Sequence, residues 1–193
     1  MSIQAPWKDL LVEPLAGDHV VQTYRDERFV VDAVSLFTGL GIGKGEVVVL
    51  VATRAHLQAV EHRLEAMGIA VDDVKQWGQL TEMDAAGALA QFMVDGMPDR
   101  ERFLAVVRPA IRRARASSRS QGVRVYGEMV DLLWKDNLAA AARLEQLWNE
   151  VVRAESISLF CAYGLDGDGN APRPFPDRLR ALHSHLIPVE AGA

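Results

Sequence analysis

The sequence predicts an α/β fold, an open and mostly parallel sheet flanked by helices on both faces. Three observations carry that reading. Residues Val47–Ala52 read V-V-V-L-V-A, a continuous apolar, β-branched run of the kind a strand buried on both faces requires. Short β-rich segments alternate along the chain with stretches of helical apolar spacing. The chain has 193 residues, 49% hydrophobic and 24% charged, which suffices for one full core without disulfide or metal staples.

Residues 1–17, with Pro6 and Pro14, show no clear period and read as a leader; 18–187 read as one domain and 188–193 as a tail. His19–Tyr24 (H-V-V-Q-T-Y) has strand composition. Residues 29–40 carry apolar side chains at 29, 30, 33, 34, 36, 37 and 40, a helix that the glycine run Gly39, Gly41, Gly43 and Gly45 is predicted to end in a turn. Thr53 caps a helix of about 55–67, closed by Gly68. A weaker strand near 74–80 precedes a helix across about 83–95, and Pro98 and Asp99 open a long helix to about 117. Residues 123–126 form a short strand, Gly127 turns into a helix over 128–134, and Asn137 caps another over 138–153. In that last helix Leu138, Ala141, Leu144, Leu147, Trp148 and Val151 form one apolar stripe. Residues 156–163 (S-I-S-L-F-C-A-Y) are the last strong strand, succeeded by a Gly/Asp/Pro-rich loop over 164–176 and a short helix over 177–185.

The formal net charge of −5 disfavours nucleic acid as a partner. A basic stretch holds Arg108, Arg112, Arg113, Arg115 and Arg119, but helical spacing spreads these around the axis and places them toward a helix C-terminus, where cations suit the dipole. No helix-turn-helix or zinc-finger signature accompanies them. No apolar run approaches the roughly 20 residues that span a bilayer. The first fifteen residues lack the apolar core of a signal peptide. The one cysteine, Cys161, excludes an internal disulfide. A cytoplasmic protein with no membrane partner is expected.

The glycines Gly39-x-Gly41-x-Gly43-Lys44-Gly45 imitate a phosphate loop but stand on the wrong side of the strand. Phosphate loops come after a buried strand and open a helix, so that free backbone N–H groups meet the anion. Here the glycines precede the strand, and the segment after the strand, Thr53-Arg54-Ala55-His56-Leu57-Gln58, contains none.

Open α/β sheets bind ligands at the carboxyl ends of their strands. That rule gathers Tyr24, Thr53, Arg54, Thr81, Glu82, Tyr126, Gly127, Glu128 and Tyr163. The candidate ligand-binding residues are Tyr24, Arg54, Tyr126, Glu128 and Tyr163, with His19. Glu128 is expected to begin a helix, where a carboxylate is favoured. Arg54 sits in a helical first turn, where a cation is not, and so should find an internal partner. His19, His183, His185 and Cys161 are the conceivable metal ligands. The His-x-His pair faces divergent directions, and no CxxC or HExxH joins it, so neither metal nor cofactor is expected. Cys161 reads as a buried, protonated free thiol and not a nucleophile, and Trp134 and Trp148 as core.

The order of the pieces resembles a known family. The blocks are His19-Val20-Val21-Gln22-Thr23-Tyr24, Gly39-Leu40 with Gly45-Glu46-Val47-Val48, and Gln79-Leu80. Tyr126-Gly127-Glu128-Met129-Val130-Asp131-Leu132-Leu133-Trp134, Leu144-Glu145-Gln146-Leu147-Trp148-Asn149 and Phe160-Cys161-Ala162-Tyr163 complete the set. Together they resemble the MEDS (methanogen/methylotroph, DcmR-type sensory) domain over about 17–187. The resemblance implies a RecA/KaiC-like three-layer core without a functional Walker A loop. It also implies a sensory role toward small hydrocarbon-derived ligands, usually beside a kinase or DNA-binding output domain. With no such domain in this sequence, a stand-alone copy is expected to act on a separate signalling protein such as a kinase or transcription regulator. The expected function is regulation without catalysis. The alternatives are a degenerate ATPase-like enzyme using Arg54 and Glu128, or a ring-forming assembly subunit, a homo-oligomer.

Overall fold

The computed structural model describes residues 6–117, 122–165 and 174–188. The chain runs α1 (Pro6–Val12), β1 (His19–Tyr24), α2 (Glu27–Gly43), β2 (Val47–Ala52), α3 (Arg54–Ala66), α4 (Val71–Gln76), β3 (Leu80–Asp84) and α5 (Ala85–Phe92). A two-residue ribbon, β4 (Met93–Val94) and β5 (Met97–Pro98), leads to α6 (Arg100–Ser117), β6 (Val123–Gly127), α7 (Asp131–Trp134) and α8 (Leu138–Glu155). The chain then forms β7 (Ser158–Gly164), α9 (Asp177–Arg180) and β8 (His185–Ile187). Six strands make one sheet in the order β3-β2-β6-β7-β1-β8, and every pairing in it is parallel.

Alternate residues of each strand feed two cores, which explains why β2 is apolar throughout. Val47, Val49 and Val51 pack with Phe103, Ile111, Leu144 and Trp148 beneath α5, α6 and α8. Val48, Leu50 and Ala52 pack with Val34, Phe37, Val60 and Leu64 beneath α2 and α3. The three-layer α/β architecture is therefore as predicted.

Several elements differ from the sequence expectation, each for a local reason. The glycines expected to stop the second helix lie inside it: α2 runs on to Gly43, and only Gly45, at φ +76°, makes the turn. Gly39 and Gly41 are there for close packing. A Cβ on Gly39 would lie 2.8 Å from Met67 Cε, and one on Gly41 2.8 Å from Arg124 Cδ. Residues 74–80 are not a strand; Val71 and Val74 bury one side of the short helix α4, and the strand begins at Leu80. Residues 1–17 read as a leader without clear period, yet Pro6–Val12 is helical and Leu11 is fully buried. The helix expected over 128–134 spans only Asp131–Trp134, so Glu128 precedes it. The last predicted helix is cut short at Arg180, and His185–Ile187 instead adds an edge strand beside β1. In the basic stretch, Arg108, Arg112 and Arg115 all approach Glu155 at the end of α8, at 3.4, 3.9 and 3.7 Å; Arg119 lies outside the described residues.

The chain leaves β1 and β2 toward the face of α2 and α3, whereas it leaves β6 toward α7 and α8 on the other face. Between β2 and β6 the exits therefore diverge, and such a switch point opens a crevice at the strand ends.

Candidate ligand-binding site

Glu128 stands in that crevice. It is the first residue beyond β6, and its own N–H still donates to Val51 O at 3.0 Å. The side chain thereby crosses to the start of α3. Its Oε1 accepts a short hydrogen bond from the Thr53 N–H, and its Oε2 lies 2.7 Å from His56 Nδ1 and accepts from the Tyr126 hydroxyl at 3.1 Å. Thr53 caps α3 as expected, its hydroxyl accepting from the His56 N–H at 3.4 Å. The arrangement is a capping box with a part exchanged. The carboxylate that ordinarily comes from the third helical residue arrives from another strand, and the third residue, His56, pairs with it.

Burial alone would raise the Glu128 carboxyl, but the hydrogen bond and charge of His56, with the Thr53 N–H, outweigh it and hold the group below the usual carboxylate range. The same hydrogen bond raises His56 against the opposing effect of its own burial. The pair is thus a buried carboxylate and a histidine biased toward imidazolium, at the positive end of a helix. Alongside it, Asp131 accepts from Gly164 N–H at 2.9 Å and from Trp134 Nε1 at 2.8 Å, and burial lifts its carboxyl despite those bonds. Tyr24 joins Asp131; burial, then the charges of Asp131 and Glu128, push its phenol far above the ordinary range. The first junction on this face, from β1 into α2, is also acidic: Asp26 caps α2 and Glu27 opens it. Both helix N-termini are therefore already supplied with carboxylates.

In front of His56 lies a groove of about 440 Å³ between α2 and α3, lined by Glu27, Arg28, Val31, Asp32, Ala55, His56, Ala59 and Arg63. A second hollow of about 340 Å³ continues past it, and the Arg63–Asp32 ion pair, 2.9 Å, borders both. The His56 side chain is 13% exposed, which leaves its Nε2 as the ring nitrogen available to an occupant.

Of the residues singled out from sequence, Tyr24, Tyr126 and Glu128 meet here. Arg54 does not: it lies on the surface, 85% exposed, with Asp84 at 3.8 Å. His19 and Tyr163 point to the opposite face of the sheet, into a buried cluster with Glu145, Cys161 and His183. His183 and His185, paired in the sequence reading, separate; His185 approaches Asp18 at 3.6 Å near the surface. His56 escaped the sequence reading because a histidine in a helix's first turn resembles any surface residue. Its signal was its place three residues after a capping Thr, where a carboxylate's partner fits. Glu145 was missed although it lies within the apolar stripe of its helix, four residues from Ala141 and three from Trp148.

A six-stranded parallel sheet in this order, covered by helices on both faces and with carboxylates at the N-termini of α2 and α3, defines a three-layer α/β domain. The profile of MEDS, the MEthanogen/methylotroph, DcmR Sensory domain, matches residues 18–171, and the chain belongs to that family. Among solved structures it is similar to a KaiC-like protein from the hyperthermophilic archaeon Pyrococcus horikoshii, with a TM-score of 0.59 and 13% identity over 90% of this chain and 72% of that one. At that identity the likeness establishes the fold alone. Comparison with curated proteins finds no match. Among the described residues no helix is long and apolar enough to cross a membrane.

Proposed function

We propose that this domain senses a small organic ligand in the groove over His56 and reports its occupancy to a signalling partner, a kinase or a transcription regulator, without turning the ligand over. The observation that carries the reading is the His56–Glu128 pair at the switch point, with the groove in front of it. Glu128 fixes the ring through Nδ1 and favours its charged form, so that Nε2 offers a donor to a carboxylate or hydroxyl. Val31, Ala55 and Ala59 add apolar wall for a short hydrocarbon chain, and the volume falls within the range that small-molecule sites occupy. Signalling would arise from the two helices that form the groove. An occupant touching both α2 and α3 fixes their spacing and changes the surface that a partner reads. Membership of a sensory family supports the regulatory part of this reading, and the groove chemistry supports the ligand class.

The test is a thermal-shift series with short-chain alcohols, amines and carboxylates. At least one hydroxyl- or carboxylate-bearing member is expected to raise the melting temperature by several degrees at a concentration well above its dissociation constant. His56→Ala should remove the shift while remaining folded. A panel without effect on the wild type, or a shift that survives His56→Ala, counts against the groove as the sensing site.

A further inference from the structure

On the other face of the sheet, His19 from β1, Cys161 from β7, Glu145 from α8 and His183 after α9 bring four ligand-type atoms within 4.8 Å of one another. His19 Nε2 is 3.3 Å from Cys161 Sγ and 3.3 Å from Glu145 Oε2, and His183 Nε2 is 3.1 Å from Glu145 Oε1. The side chains of His19, Glu145 and His183 are 2%, 0% and 1% exposed, and Cys161 is fully buried.

The surroundings determine which ring nitrogens face the centre. Asn149 donates its Nδ2–H to Leu182 O at 2.8 Å, so its Oδ1, 3.1 Å from His19 Nδ1, must accept, and His19 carries its hydrogen on Nδ1. His183 Nδ1 lies 2.8 Å from Leu179 O, a carbonyl that can only accept, so it too carries hydrogen there. In the neutral form each ring presents a bare Nε2 lone pair to the cluster, His19 toward Glu145 Oε2 and Cys161 Sγ and His183 toward Glu145 Oε1. That is the tautomer, with its outer hydrogen bonds, in which metal-bound histidines are held. His183 Nε2 is moreover buried with no hydrogen bond: its approach to Glu145 lacks the required geometry. Tyr163 donates to Glu145 Oε1, which leaves Oε2 turned toward His19 and Cys161.

We infer that His19, Glu145, Cys161 and His183 form a closed, four-ligand binding site for a borderline-soft divalent cation, zinc by preference. Zinc takes sulfur, imidazole nitrogen and carboxylate oxygen at about 2.0–2.3 Å, which sets neighbouring ligand atoms in a tetrahedron roughly 3.3–3.8 Å apart. The two 3.3 Å separations of His19 from Cys161 and Glu145 fall at the start of that range, the 3.9 Å between Cys161 Sγ and Glu145 Oε2 just beyond it, and the widest separations, up to 4.8 Å, close with a contraction of about an ångström. Charge also balances: one divalent ion, one thiolate and one carboxylate sum to zero in a buried site, with the thiol proton released on binding. With no ligand position left for water, the site is a staple that joins β1, β7, α8 and the segment leading into β8. Loading the metal is then part of folding.

The experiment uses the full chain, stripped with chelator and then exposed to zinc or cobalt(II) alone. Expected are one bound zinc per chain by elemental analysis and a melting temperature raised on zinc addition. The cobalt form should show the intense visible bands of tetrahedral coordination with a thiolate charge-transfer band in the near ultraviolet. Cys161→Ser should abolish the charge-transfer band, and His185→Ala, outside the cluster, should leave stoichiometry and spectrum unchanged. Should Cys161→Ser fail to fold, the wild-type cobalt spectrum still decides. A folded wild-type chain that binds no zinc, or cobalt bands of octahedral, thiolate-free type, would overturn the assignment.

Discussion

Arg124→Ala is expected to destabilise the protein by about 3–5 kcal/mol, the cost of breaking a buried charged network by removing one partner. Arg124 is a β6 residue that is 1% exposed, and it reaches sideways through the sheet's helical layer. Its Nε contacts Glu46 Oε2 at 2.5 Å, and its terminal nitrogens donate to Leu11 O at 2.9 Å, Phe37 O at 3.0 Å and Val12 O at 3.2 Å. Two of those carbonyls close α1, where a cation also meets the negative end of the helix. The guanidinium lies over the Phe37 ring at 5.2 Å and beside Gly41, whose missing Cβ makes the space. Removal takes the partner from the Glu46 carboxylate and from Leu11 O, strips one bond from Phe37 O within α2 and one from Val12 O, which keeps Lys44 Nζ at 3.1 Å, and loosens α1. Urea unfolding should show a lower midpoint, and limited proteolysis should cut first in the α1 segment. A loss below about 1 kcal/mol, the worth of an exposed pair, would contradict the account.

Glu128→Gln should cost about 1.5–3 kcal/mol near pH 6, the value of hydrogen bonds to a charged, largely buried group. The pH dependence identifies the cause. His56 is raised above its ordinary 6.5, so its share of the stabilisation is complete below that value and is lost as pH climbs through the folded value. Glu128 is lowered below its ordinary 4.5, so its share is complete above that value and is lost as pH falls through the folded value. The wild-type advantage over Glu128→Gln should therefore be greatest between about 4.5 and 6.5 and shrink on either side. Unfolding free energies measured across that interval check it; a difference flat with pH would mean that packing, not the charge pair, is what the substitution removes.

Much of the fold was legible because its signals are local and strong. β1, β2, α3, α6 and α8 are set by apolar period and by the caps Thr53, Asp99 and Asn137. What misled was tertiary. Gly39 and Gly41 look like a stop signal, but their small size serves the close passage of Met67 and Arg124, contacts made with residues far along the chain. β8 has only three paired residues and exists because β1 offers an open edge. The site was legible in half. The strand-end rule found Glu128, Tyr126 and Tyr24, whose places depend on strand order alone. Arg54 obeyed the same rule but lies on the surface, because a first-turn side chain is free to leave the crevice. The sequence analysis grouped three members of the opposite cluster, His19, Cys161 and His183, with His185 wrongly in place of Glu145, and set them aside because the four are joined by sheet register and helix packing, not by a motif's spacing.

The two clusters divide the molecule's chemistry: a charge pair facing a groove on one side of the sheet, a closed ligand set on the other. The proposed sensing rests on the first, where Glu128 takes the Thr53 N–H at the start of α3. Nuclear magnetic resonance of the His56 ring nitrogens tests this most directly. Adding a short-chain carboxylate or alcohol that stabilises the protein should shift the Nε2 resonance saturably, while magnesium-ATP should leave it unchanged. A saturable response of His56 to magnesium-ATP, or a stabilising ligand that leaves His56 unmoved, would contradict the assignment.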